Sequence, residues 1–153
     1  MSVDNDLSLK QKMLLNVSYN EPEVKKKIEN AVGKPFSLKE RWDRGGIGSS
    51  KLLITQASID IHNLLILDNN QNTCNIELRP KGIILRFRSL LETYALIIPY
   101  YKLTLYKTNA QEYSIYKDKH FIKVAADNKA NFKFFTKISK EKLDNQPPGI
   151  EDL

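Results

Sequence analysis

Several short patterns in this chain hold residue types that do chemistry. Asp60-x-His62 and Asp118-x-His120 each set a carboxylate and an imidazole two residues apart, which on an extended strand is one face. Such a pair begins a metal site, yet two ligands fall short of one, and a third would have to come from elsewhere, such as Glu77. With two histidines and one cysteine in 153 residues, no set of nucleophile, base and orienting group can be named. Cys74 alternates with Ile76 and reads as a small strand residue, and a single cysteine forms no intramolecular disulfide. The run Gly45-Gly46-Ile47-Gly48-Ser49-Ser50-Lys51 invites a phosphate-loop reading. It fails because Ser49 and Ser50 separate Gly48 from Lys51 and because charged residues, not a strand, precede it.

Charge offers other candidates. Arg86 and Arg88 sit at alternate strand positions, where two guanidiniums facing one way can grip a phosphate, and Lys81 precedes them. Lys129, Lys133, Lys137 and Lys140, with Lys117, Lys119 and Lys123, would attract nucleic acid or an anionic membrane, although a solvated helix face is the plainer account. The formal charge of +6 favours acidic partners in general. Tyr94, Tyr100, Tyr101 and Tyr106 cluster around Pro99. Exposed tyrosines there would mark an interface, since they join contact area to a polar tip, and an edge strand beside Pro99 could pair with a peptide or a second copy.

The elements that must position these groups follow from periodicity. Ile83, Leu85 and Phe87 alternate with Ile84, Arg86 and Arg88, the pattern of a strand with one buried and one wet face. Arg79-Pro80-Lys81-Gly82 supplies a reversal, so Thr73–Arg79 and Gly82–Ser89 form a predicted hairpin. Glu112–Tyr116 and His120–Ala125 form another across Lys117-Asp118-Lys119. Tyr94–Ile98 and Tyr101–Leu105 read as strands broken at Pro99, which cannot donate to a ladder. Lys51–Leu67 reads as β-rich, with Ile59 and Ile61 flanking Asp60 and a short buried run over Leu64–Leu67. Asp68–Asn72 is loop by composition.

Helices are expected at both ends. Asn20 as N-cap, Pro22 in the first turn and Glu23 at the third position start one that buries Val24, Ile28, Ala31 and Val32 and stops at Gly33. Ser37 and Glu40 cap a short turn ending near Trp42. From Asp127 or Asn128, Phe132, Phe134, Phe135, Ile138 and Leu143 gather on one side of a C-terminal helix and lysines on the other. Residues 1–20 lack a period and could dock as an arm. Glu40–Ser50 is a polar connector.

Hydrophobic residues are 41% and charged residues 27%, which is globular composition. No apolar run approaches the roughly 18 residues of a spanning helix. The acidic start MSVDND lacks the basic and apolar regions of a secretory signal, so the chain is expected in the cytoplasm.

Short strands followed by an amphipathic helix describe a small barrel or sandwich capped at one end. Over Cys74 to Ile138, the strand pair IELRPKGIILRF, the segment ALIIPYYKL, the hairpin EYSIYKDKHFIKV and the helix DNKANFKFFTKIS, the chain resembles the bacterial pleckstrin-homology-like domains. The resemblance implies an α+β, mainly β barrel or sandwich of about seven strands over residues 51–144; a helical and loop extension at 1–50 and a tail at 145–153 lie outside it. It implies a non-enzymatic domain without cofactor that binds a protein or associates with itself. Lys81, Arg86 and Arg88 also look like the family's phosphoinositide-binding pattern, displaced from the first strand pair where it belongs. A barrel enclosing a small ligand, or an enzyme with an unrecognised site, is the alternative; anionic lipid or nucleic-acid binding is the weaker one.

Overall fold

The computed structural model describes residues 13–67 and 72–145. Among them, eight strands form one antiparallel sheet: β1 (Leu14–Asn16), β2 (Leu52–Ala57), β3 (Thr73–Arg79), β4 (Gly82–Ser89), β5 (Glu92–Pro99), β6 (Thr104–Asn109), β7 (Glu112–Lys117) and β8 (His120–Ala125), in the spatial order β1-β5-β4-β3-β2-β8-β7-β6. Four α-helices accompany them, α1 (Pro22–Val32), α2 (Leu38–Asp43), α3 (Ile59–Leu65) and α4 (Lys129–Asp144), with a 3₁₀ turn at Tyr100–Lys102. The mainly β, α+β class and the C-terminal helix agree with the sequence reading. The barrel does not form. The sheet's edge strands, β1 and β6, lie at opposite ends of the order and do not pair; β1 extends the sheet beyond β5, pairing Leu14 with Leu96 and Asn16 with Tyr94. Residues 51–144 carry seven strands, in line with the about seven expected there, and the segment before residue 51 adds an eighth, β1, as well as helices.

The predicted hairpin of β3 and β4 is present with its two-residue turn at Pro80-Lys81, in the register Cys74↔Phe87, Ile76↔Leu85 and Leu78↔Ile83. Those six side chains are buried on one face, where Leu96, Ile98, Ile122, Val124, Phe134, Phe135 and Ile138 join them. The turn works because Gly82 has no side chain. A Cβ there would meet the Ile98 carbonyl oxygen, Val32 Cγ1 at 2.5 Å and Pro99 Cα at 2.8 Å.

The opposite face of β4 is not uniformly wet. Ile84 is fully buried beneath α1, whose Ile28 and Val32 cover Leu15, Ala95 and Ile97 as well. This second, smaller core ends at Arg86. Beyond it no helix among the described residues covers the outer face.

Three local expectations are corrected. Residues 59–65 are helical, because Ile61 and Leu65, four apart, both point into the core while Ile59 and Ile66 stay exposed; alternation over three residues cannot separate the two periods. The N-cap of α1 is Glu21, not Asn20, and it makes no side-chain cap bond. Tyr101 lies in the 3₁₀ turn rather than in a strand, and β6 starts at Thr104. Ser37 does form the expected capping box with Glu40. On α4, capped by Asn128, Phe134, Phe135 and Ile138 are buried, but Leu143 is exposed. Within the predicted connector, Ser49 and Ile47 hold the backbone of β3 through Ser49 N to Ile76 O (2.8 Å) and Leu78 N to Ile47 O (2.7 Å). The expected loop at 68–72 and tail at 145–153 fall almost wholly outside the described residues.

Candidate functional site

The outer face of β3 and β4 carries the first group of charges. Glu77 accepts from Arg79 Nε at 2.6 Å and from Arg86 Nη1 at 2.7 Å, and Arg79 Nη1 also donates to the Gly33 carbonyl at 2.9 Å. Burial pushes the Glu77 carboxyl up, but the bonds from the two guanidiniums and their charges outweigh it, leaving it below the usual value. This triad closes the margin of the core under α1. Past it, Arg86 and Arg88 share one face as expected, and Lys51, just before β2, lines the same hollow with them and Asn75. Among the described residues no carboxylate pairs with Arg88 or Lys51. Lys81 is not brought to them: it sits in the turn at the other end of β4, beside Lys102 and Tyr101.

The tyrosines divide. Tyr100 is buried, its Oη donating to the Arg79 carbonyl at 3.3 Å. Tyr94 is half-buried and stacks on Phe87 at 5.9 Å. Tyr101 and Tyr106 are 77% and 58% exposed, and Tyr106 packs its edge on Tyr116 at 5.8 Å. The second pair stands beside the open edge of the sheet. Among the described residues, β6 pairs with β7 on one side only, from Thr104↔Tyr116 to Asn109↔Glu112, and all its residues but Leu105 are exposed. Next to this edge a groove of about 270 Å³ runs between β6 and α4, with Leu103, Leu105 and the exposed Leu143 on its walls and Lys142 at its rim. An open edge presents unpaired N–H and C=O groups, and an adjoining apolar groove receives alternate side chains of whatever strand pairs with them.

Among the described residues the carboxylate–imidazole pairs join no group of three metal ligands. Asp60 and His62 lie on α3, where residues two apart diverge. Asp118, with φ of 53° in the β7–β8 turn, stands 3.6 Å from Lys102 and 3.7 Å from Lys117, while His120 is buried. Lys117 is buried too, and its pKa falls through burial, with Asp118 opposing and Lys102 adding to the shift; it is no part of a solvated basic face. Cys74 is buried, which pushes its thiol up to about 12, so it holds no thiolate near neutrality.

Sequence reasoning missed two exposed apolar features. Leu38 and Trp42, one turn apart on α2, are 83% and 84% exposed. The only signal was a tryptophan in a short polar helix. Leu90 and Leu91 form the β4–β5 turn and are also exposed; two adjacent leucines between paired strands were the available clue. No family model matches the chain, and neither the curated proteins nor the solved structures yield a match.

Proposed function

We propose that this chain is a non-catalytic, pleckstrin-homology-like binding domain that works by strand addition at β6, with a second copy of itself as the first occupant. The observation that carries the reading is the β6 edge: six residues, open on one side among the described residues, flanked by the exposed rings of Tyr101 and Tyr106 and by the groove against α4. Self-pairing is chemically consistent. In an antiparallel pair of β6 strands centred between Tyr106 and Lys107, each Tyr106 faces the partner's Lys107, Leu105 faces Thr108, and no two like charges are opposed. Lys107 Nζ already lies 4.6 Å from the Phe132 ring, so a second aromatic face suits it.

Native mass spectrometry of protein purified gently from its own source tests this. A homodimer without adduct is expected, and Tyr106→Lys, which opposes two cations across the pair, should weaken it by about tenfold. A monomer that retains a discrete small mass would instead favour an enclosed ligand and sink the strand-addition reading.

A further inference from the structure

The β4–β5 turn places a leucine where the backbone disfavours one. Leu90 adopts φ of 56°, a left-handed conformation that glycine or asparagine takes readily and a bulky side chain rarely does. Burial does not explain the choice: Leu90 is 55% and its neighbour Leu91 88% exposed. Strain and exposure at one turn point to a role outside the fold. Both leucines form one end of a hollow of about 770 Å³ on the outer face of β3, β4 and β5, a volume in the range of ligand-binding clefts. Lys51, Arg86 and Arg88 give the hollow its charge, and among the described residues no carboxylate lines it. Glu77 and Glu92, on the same strands, are turned elsewhere. Glu77 is held by Arg79 and Arg86, and Glu92 accepts from Asn16 at 3.3 Å and from Tyr19 at 3.1 Å. Asn72, Thr73, Asn75 and Thr93 complete the lining with amides and hydroxyls, which can both donate to and accept from a peptide main chain.

Spacing decides what fits. Arg86 and Arg88 occupy alternate positions of β4, roughly 6.8 Å apart along the strand, and an extended segment repeats its side chains on one face at the same interval. We infer that this hollow docks an extended acidic segment of another protein, with carboxylates two residues apart on Arg86 and Arg88, Lys51 beside them, and an apolar side chain of the segment against Leu90 and Leu91. Carboxylate forks on guanidiniums set the register, and the leucines reward an apolar residue at one end only. Nucleic acid suits the hollow poorly, because the ring among its lining residues, Phe87, is 2% exposed and leaves bases nothing to stack on. The surface shares no residue with the β6 edge, so this docking stands or falls independently of strand addition there.

The test is fluorescence anisotropy of a labelled synthetic peptide titrated with the full chain. The probe is built of glycine and serine, with two glutamates two residues apart and a leucine two residues beyond them; a second probe carries the reversed sequence, so that either direction of docking is read. One of the two should bind saturably, salt should weaken it, and the same probe with glutamine for both glutamates should not bind. Arg88→Glu should weaken binding by about tenfold or more, and Leu91→Ser by about fivefold, each with an unchanged thermal midpoint. Lys81→Glu, which changes the net charge by the same amount at the far end of β4, should leave binding as it is. Failure of both probes overturns the proposal, as does an equal loss in Lys81→Glu and Arg88→Glu, which would reduce the effect to net charge. Binding that ignores Leu91→Ser overturns the apolar contact and with it the proposal. Sedimentation with phosphatidylcholine vesicles holding about 30% phosphatidylglycerol, lost in Arg88→Glu and not competed by either probe, would assign the hollow to lipid and overturn it too.

Discussion

The outer face of the β3–β4–β5 ladder is two surfaces built on the same strands. Under α1, Ile84, Ala95, Ile97 and Leu15 meet Ile28 and Val32 and are almost solvent-free. Two residues further along β4, Arg86 and Arg88 stand beside Asn75, Thr73 and Thr93, and among the described residues no helix crosses them. Backbone geometry and register are common to both halves, so the difference is not in the strands but in what lies across them. α1 is long enough to cover one half, and the Glu77–Arg79–Arg86 triad marks where its cover ends. A core half can be reached only by changing the fold; a bare half is free to meet a partner.

Substitutions along this gradient should fall in order. Gly82→Ala, at the covered end, forces a methyl against backbone on one side and Val32 on the other, so it should cost about 3 kcal/mol in urea unfolding. Val32→Ala empties space in the same core and should cost about 2 kcal/mol. At the margin, Glu77→Gln keeps an acceptor but loses the charge between two guanidiniums, a change of about 1 kcal/mol at neutral pH. Because the folded carboxyl lies below its ordinary value of 4.5, Glu77 contributes stability that is full above that pH and lost as pH falls through the folded value. The gap between wild type and Glu77→Gln in thermal midpoint should therefore narrow on acidification below 4.5; a gap that widens would contradict the pairing. On the bare half, Arg88→Ala should stay within about 0.5 kcal/mol of wild type, and a larger loss would mean that this half is core after all.

How much of this was legible beforehand depended on whether the deciding contacts were local. The β3–β4 hairpin announced itself through alternation and the Arg79-Pro80-Lys81-Gly82 turn, and α4 through five aromatic and aliphatic positions opposite its lysines. Both signals lie within a few residues. By contrast, nothing near Ile84 says that a helix from residues 22–32 will cover it, so the wet face of β4 was assigned too widely. The same limit hid β1, since the strand that pairs with the outer edge of β5 comes from residues 14–16. Residues 59–65 failed for another reason: a seven-residue helix shows only two turns of period, which an apolar alternation imitates. Of the tyrosines, chain position could not divide Tyr100, inside, from its neighbour Tyr101, outside; a 3₁₀ turn does that.

β2 is the joint of the sheet. Its first residues pair with β3 through Leu52↔Cys74 and Leu53↔Thr73, its last with β8 through Ile54↔Val124 and Ala57↔Ile122, with an irregularity between Ile54 and Gln56. The β3–β4–β5 and β6–β7–β8 meanders on either side are made of neighbours in sequence, cheap to close in chain entropy. Joining them through β2 brings residues from the first half of the chain to the last quarter, which is the slow part of forming such a topology. The amides of β2 should therefore report the final cooperative step of folding, and a weakened Ile54–Val124 pairing should release the two meanders as separately exchanging units.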